Sequence, residues 1–142
     1  MLLAVAGVAV AAVVAWVVQR RRPAPPTQGR WPVPTQLDRD DFARPDAPWL
    51  VAVFTSATCE SCAKAVSQAM VLEAAEVAVQ EVEVGADGNL HRRYAIEAVP
   101  VTVVAVTDGV VRASFVGPPS ATDLWAAVAE CREPGSTPLG PP

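Results

Sequence analysis

Two cysteines three positions apart are the residues of this chain best suited to chemistry. Cys59 and Cys62 stand in the stretch Thr-Cys-Glu-Ser-Cys. Residues at this spacing face the same way on a helix, and their Cα separation falls in the range that a disulfide tolerates. We therefore expect a pair of thiols that can close into a disulfide and open again.

A metal site is the main chemical alternative for such a pair. A zinc site normally needs a second pair of cysteines or histidines, whereas Cys-x-x-Cys beside a strand-helix-strand pattern is typical of a redox dithiol. Here His91 is the only histidine and Cys131 the only other cysteine. A carrier of a soft metal ion that uses only Cys59 and Cys62 stays as a weaker alternative.

The other two residues of possible chemical interest have simpler explanations. His91 stands beside two arginines in a segment predicted to be a short surface helix, so we expect a solvated side chain without a role. Cys131 falls on the apolar stripe of the predicted last helix. We expect it to be a small buried hydrophobic side chain rather than a third reactive thiol.

A strand and a helix must position the dithiol. Residues 49–54 form an apolar run rich in valine and leucine, which is typical of a strand buried on both faces. Residues 63–75 have apolar side chains at three- and four-residue steps, which predicts a helix. Cys59 would then lie at the helix start and Cys62 one turn in. Free amide hydrogens and the helix dipole favour an anion there, so we predict that Cys59 is the nucleophile.

The rest of the domain reads as alternating strands and helices. Valines alternate with polar residues in the next strand, which we expect to be parallel to the first because a helix joins them. Asp108-Gly109 is a strong hairpin signal, and Asp38 is suited to capping a short helix before the first strand. The further predicted elements are a strand over residues 76–84, a short helix over 89–95, hairpin strands over 99–106 and 110–116, and a helix over 122–132.

These features in this order resemble the thioredoxin family. Phe54 precedes the dithiol by four intervening residues, as in that family, and residues 94–104, Tyr-Ala-Ile-Glu-Ala-Val-Pro-Val-Thr-Val-Val, are similar to the family's segment leading into its cis-proline strand. Gly117 then closes a strand before the last helix. The resemblance covers about residues 47–132 and implies a thioredoxin-like α/β fold, a mixed sheet flanked by helices.

The resemblance also implies roles for residues outside the dithiol. It implies that the Val99–Pro100 bond is cis and that the Val99 backbone pairs with a substrate peptide, so Val99 and Pro100 are the expected substrate-binding residues.

The chain departs from the common Trp-Cys-Gly-Pro-Cys motif, because it lacks both the tryptophan and the proline. At the strand position where the family usually buries an acid, this chain has Val53. Glu81 could replace that acid if it pointed inward, but we expect an exposed strand glutamate. Glu60 places a negative charge beside the nucleophile, which opposes its thiolate.

The N-terminal residues predict a membrane anchor. Residues 1–18 carry no charged side chain, and as a helix they would span about 27 Å, close to the thickness of a bilayer core. We predict a single transmembrane helix over residues 1–19 rather than a cleaved signal peptide, since the basic cluster follows the apolar run. That cluster, residues 20–22, predicts a cytoplasmic domain by the positive-inside rule, and an extracytoplasmic domain is the alternative. We assign residues 20–35 to an Arg/Pro-rich linker, 36–132 to the thioredoxin-like domain and 133–142 to a disordered tail.

Charge limits the classes of partner. All fifteen acidic residues lie beyond Gln36, together with only seven of the eleven basic residues. An acidic domain argues against nucleic-acid binding, which requires a basic surface.

The sequence therefore predicts a membrane-anchored thiol-disulfide oxidoreductase, in the direction of protein disulfide reduction. Its partners would be protein disulfide substrates and a thiol electron donor that the sequence does not identify, and its chemistry requires no cofactor. The alternative is a thioredoxin-like binding module for a peptide or membrane partner, with a redox-idle disulfide.

Overall fold

A computed structural model of the chain describes residues 31–136. The predicted transmembrane helix at residues 1–19, most of the linker and the tail beyond residue 136 lie outside the described residues. No helix within residues 31–136 has both the length and the apolar character needed to cross a bilayer. The elements in chain order are a 3₁₀ helix over Arg39–Asp41, β1 over Trp49–Thr55, α1 over Cys62–Met70, β2 over Val77–Glu83, α2 over Gly88–Arg93, β3 over Val101–Val106, β4 over Val111–Val116 and α3 over Ala121–Arg132.

The four strands form one mixed sheet in the order β2-β1-β3-β4. β1 pairs in parallel with β2 and antiparallel with β3, which pairs antiparallel with β4. Because β1 has a strand on either side and helices over both faces, its residues after Trp49 are all buried. The predicted mixed sheet, and the parallel pairing of its first two strands, are confirmed.

Alternate side chains of β1 point to opposite faces of the sheet and divide the core in two. On one face Val53 belongs to a cluster with Ala65 of α1 and Leu124 of α3. On the other face Phe54 belongs to a cluster with Leu90 of α2 and with the segment that precedes β1. The sheet is thus flanked by helices on both sides, as predicted.

The helix that carries the dithiol is shorter than predicted. It begins at Cys62, and Cys59 lies in the turn before it, because the amide of Cys59 donates to the Ser56 carbonyl and the amide of Cys62 donates to the Cys59 carbonyl. The helix ends at Met70. The Arg44 guanidinium accounts for this early end, since it binds carbonyls of residues 74, 75 and 77 and so stabilises the non-helical turn into β2. The prediction that Cys59 starts the helix was wrong by three residues.

The hairpin between β3 and β4 confirms the Asp-Gly signal. Gly109 has φ +79°, a conformation that favours glycine. Its carbonyl accepts a hydrogen bond from the Leu37 amide at 2.8 Å, and a Cβ at this position would lie 1.9 Å from the Leu37 carbonyl oxygen. The hairpin therefore needs glycine both for its turn and for contact with the segment before β1.

His91 is buried, which contradicts the predicted solvated side chain. Only 5% of the residue is exposed; its Nε2–H donates to the Val82 carbonyl at 2.8 Å, and its ring meets Phe54 edge-on at 5.3 Å between centroids. The reason is the orientation of α2, which turns Leu90 and His91 towards the sheet and leaves the two arginines that follow in solvent.

The segment before β1 is attached to the end of α2. Asp38 caps the 3₁₀ helix, as predicted, by accepting from the Asp40 amide. The Tyr94 hydroxyl donates to Asp41 and accepts from the Asp38 amide, while Arg93 forms ion pairs with both aspartates at 2.9 and 3.1 Å. Burial, together with the hydrogen bond to Asp41, raises the pKa of Tyr94 to about 12.

Candidate active site

The dithiol lies where β1 ends and α1 begins. Cys59 and Cys62 are joined in a disulfide, with their Cα atoms 5.4 Å apart. β1 is one of the two inner strands of the sheet and is buried after Trp49, and a short loop of small residues carries the chain from it to Cys59. The pairing expected from the Cys-x-x-Cys spacing is therefore present in the folded domain.

The two sulfurs differ in exposure. Cys62 is only 4% exposed, because it belongs to the face of α1 that packs on the sheet. Cys59 is partly exposed, and its Sγ lies 3.7 Å from the Ser61 hydroxyl. A large partner such as another protein can therefore reach Cys59 and is excluded from Cys62.

Val99 and Pro100 lie at the same end of the sheet as the dithiol. They immediately precede β3, whose first residue, Val101, pairs with Phe54 near the end of β1. The Val99–Pro100 bond is cis, and the Pro100 carbonyl accepts a hydrogen bond from the Gly117 amide at 2.8 Å. The fold thus brings all four residues predicted for the site to one end of the sheet, next to its two inner strands.

Two acidic side chains near this end of the sheet, Glu60 and Glu81, are exposed rather than buried. Val53, at the position where the resemblance would place an acid, is completely buried. Glu81 is exposed, as predicted, and its carboxylate accepts a hydrogen bond from the Thr55 hydroxyl at 2.7 Å. Glu60 is exposed as well. Within residues 31–136 no Asp or Glu is fully buried, and the residue that pairs with Val53 on the adjacent strand is the buried Thr102. The interior beside β1 therefore offers no buried carboxylate that could take a proton from the thiols.

Glu83 is a residue of this site that the sequence analysis missed. Its carboxylate accepts three backbone hydrogen bonds, one from Ala57 in the dithiol loop and two from Gly85 and Ala86 after β2. A glutamate two residues before a glycine at a strand end was the available signal. That signal is common at turns, and it did not indicate that one partner would come from a loop 26 residues earlier.

The third cysteine is not part of this site. Cys131 is a free thiol, half-buried near the end of α3, and it lines a cavity of about 360 Å³ together with Val106 at the opposite end of the sheet. Burial raises the pKa of the Cys131 thiol, an effect that nearby Arg112 partly offsets. Within residues 31–136, no three His, Cys, Asp or Glu side chains come together as ligands for a metal ion.

Comparison with known proteins gives a structural match without a sequence match. No family model matches the chain, and no curated protein matches it either. Among solved structures, the germline-specific thioredoxin Deadhead of Drosophila melanogaster is 22% identical with a TM-score of 0.52, and the match covers 61% of this chain and 83% of that one. The thioredoxin of Fasciola hepatica is 23% identical with a TM-score of 0.52, covering 59% and 81%.

A third match is mitochondrial thioredoxin 3 of Saccharomyces cerevisiae in its oxidised form, 20% identical with a TM-score of 0.50, covering 58% of this chain and 78% of that one. At sequence identities this low, the structural matches show the fold alone. The activity has to be argued from the site. The described domain is a thioredoxin fold that carries a Cys59–Cys62 disulfide.

Proposed function

We propose that this protein is a thiol-disulfide oxidoreductase that reduces disulfides of other proteins. The observation that carries the proposal is the unequal exposure of the pair, with Cys59 open to a partner and Cys62 held behind it. A disulfide with a purely structural role gains nothing from an accessible sulfur. A catalytic dithiol needs one sulfur for the partner and a second that only the first can reach.

The chemistry proceeds in two exchanges. The Cys59 thiolate attacks one sulfur of the substrate disulfide, and the other substrate sulfur leaves as a thiolate that takes up a proton. The Cys62 thiol then loses its proton and attacks the Cys59 sulfur of the mixed disulfide, which releases the second substrate thiol. Two electrons have passed to the substrate, and the Cys59–Cys62 disulfide has formed.

Substrate binding is assigned to the end of the sheet beside the dithiol. A peptide that approaches Cys59 passes the half-buried Val99, which precedes cis Pro100. We assign the Val99 backbone to hydrogen bonds with that peptide, as the resemblance to the thioredoxin family implies for the residue before the cis proline. A thiol electron donor then returns the disulfide to the dithiol.

The anchoring of the domain is a separate part of the proposal. We assign residues 1–19 to a single membrane span and the domain to the cytoplasmic side, on the basis of the uncharged apolar run and the arginines that follow it. A cytoplasmic location agrees with the reducing direction, because the glutathione and thioredoxin systems keep thiols reduced there.

Reduction of insulin disulfides by the full-length chain in mild detergent tests the activity. We expect turnover with dithiothreitol as donor, complete loss of turnover in Cys59→Ser, and a stable mixed disulfide with insulin in Cys62→Ser. Cys131→Ser is the matched control, since it removes the one thiol outside the site, and we expect it to keep full activity.

Absence of catalysed insulin reduction would contradict the proposal. If the folded protein has a reducible Cys59–Cys62 disulfide but is no faster than free dithiothreitol, it is not a reductase of this kind. The fully buried, apolar Val53 would then favour the second candidate, a thioredoxin-like binding module with an idle disulfide, because no buried acid serves the second thiol. That module would keep its biological function in Cys59→Ser.

A further inference from the structure

The Glu83 carboxylate connects the turn after β2 to the loop that delivers the dithiol. Its Oε1 accepts a hydrogen bond from the Ala57 amide at 3.1 Å. Its Oε2 accepts from the amides of Gly85 at 2.8 Å and Ala86 at 3.1 Å. Since Ala57 lies two residues before Cys59, one side chain holds the backbone that leads to the proposed nucleophile.

The other hydrogen bonds of this loop are local. The Ser56 hydroxyl contacts the Thr58 hydroxyl at 3.2 Å and accepts from the Thr58 amide at 3.4 Å, and the Cys59 amide donates to the Ser56 carbonyl at 3.0 Å. These contacts shape the loop, but they begin and end within it. At the base of the loop, the Val84 amide donates to the carbonyl of Thr55, the last residue of β1, at 3.0 Å. The bond from Glu83 to Ala57 extends this attachment two residues further, into the loop itself.

The arrangement depends on a carboxylate and on a glycine beside it. Both oxygens of a carboxylate accept hydrogen bonds, and bonds to a charged acceptor are about twice as strong as neutral ones. A glutamine at position 83 would have to turn its NH₂ group towards one of the amides that now donate. A Cβ at Gly85 would lie 2.8 Å from Oε2, so a larger residue there would displace the carboxylate without removing its charge.

We propose that Glu83 is a positioning residue for the dithiol, and that its hydrogen bond to Ala57 holds Cys59 within closing distance of Cys62. The inference rests on the proposed redox function and concerns the equilibrium between the Cys59/Cys62 dithiol and its disulfide. Ring closure between two thiols is favoured when both are already in place, because less conformational entropy is lost. Glu83 therefore raises the equilibrium constant for formation of the Cys59–Cys62 disulfide.

Equilibrium with glutathione measures this constant on the full-length protein. In each conversion the Cys59 and Cys62 thiols give two electrons and two protons to glutathione disulfide, which yields two molecules of glutathione and the protein disulfide. A Cys131→Ser background confines the reaction to the dithiol. The variants are Glu83→Gln and Gly85→Ala, which disturb the same contact by different means.

Glu81→Gln is the matched control, because it removes the same charge from the same strand without a bond to the loop backbone. We expect Glu83→Gln and Gly85→Ala to lower the equilibrium constant about threefold to tenfold, in line with partial loss of pre-positioning. We expect Glu81→Gln to stay within about twofold of the parent, as is usual for surface changes away from such a contact.

Two results would overturn the proposal. One is an equilibrium constant for Glu83→Gln within about twofold of the parent, which would mean that the loop is held without it. The other is an equal shift in Glu81→Gln, which would assign the effect to charge rather than position. Circular dichroism at the temperature of the assay confirms that each variant is folded, and loss of stability alone does not move a constant measured on folded protein.

The glutathione result is independent of the activity on protein substrates. Absence of insulin turnover with a normal glutathione equilibrium would refute the reductase proposal and leave the role of Glu83 to be judged on its own measurement. Normal insulin turnover by the parent protein, with an unchanged glutathione equilibrium constant in Glu83→Gln, would support the reductase proposal and refute the role of Glu83.

Discussion

Replacement of His91 tests the packing of α2 against the sheet. The imidazole is buried, donates to the Val82 carbonyl and contacts the edge of Phe54. Its hydrogen bond contributes about 1 kcal/mol and its aromatic contact about 1 kcal/mol. The rest of the buried ring adds about 1 kcal/mol of apolar burial. We therefore expect His91→Ala to lower the free energy of unfolding by about 3 kcal/mol.

Urea denaturation of the oxidised protein, followed by tryptophan fluorescence, measures this loss. With a slope of about 2 kcal/mol per M, the midpoint should fall by about 1.5 M. Arg92→Ala is the matched control, since Arg92 is the exposed neighbour on the same helix, and we expect a change below about 0.5 kcal/mol. A double-mutant cycle with Phe54→Leu should give a coupling energy of about 1 kcal/mol. A His91→Ala variant as stable as Arg92→Ala would refute the buried position and restore the solvated side chain expected from the sequence.

Two further predictions concern the segment before β1. Gly109→Ala should destabilise the protein by more than Gly117→Ala in the same urea assay. Both glycines have positive φ, a conformation that costs an alanine about 1–2 kcal/mol. Of the two, only Gly109 would bring the new Cβ against a carbonyl oxygen, that of Leu37. An equal loss of unfolding free energy in the two variants would mean that the segment at Leu37 moves away from the new Cβ without cost. Tyr94 is the chain's single tyrosine, so absorbance at 295 nm reports its ionisation alone, and the midpoint should lie near pH 12 rather than 10. Because the folded pKa is the higher one, the stabilisation is complete below pH 10 and is lost between pH 10 and 12, and Tyr94→Phe should remove that part of the pH dependence.

The position of the dithiol could be predicted from the sequence because its determinants are local. The buried run of β1 and the spacing of Cys59 and Cys62 lie within fourteen consecutive residues. The hairpin at Gly109 was equally predictable, since a turn that needs positive φ selects glycine directly. In each case the physical cause lies next to the residue it affects.

The errors concern residues whose surroundings come from elsewhere in the chain. His91 looks solvated beside two arginines, but its burial depends on which face of α2 meets the sheet. The end of α1 depends on Arg44, which lies before β1 and binds carbonyls after the helix. Glu83 was missed because its partner Ala57 lies beyond an entire helix. Periodicity and spacing contain no information about contacts of this kind until the fold is known.

The unequal exposure of Cys59 and Cys62 also determines how the protein would respond to peroxide. Attack of the Cys59 thiolate on hydrogen peroxide gives a sulfenic acid, and condensation with the adjacent Cys62 thiol releases water and restores the original disulfide. That capture competes with further oxidation to sulfinic acid, which is irreversible for most proteins. Cys131 is half-buried at the opposite end of the sheet, too far away to resolve a sulfenic acid at Cys59. Oxidation of the more exposed sulfur of the pair therefore ends in the same Cys59–Cys62 disulfide that the folded domain already contains.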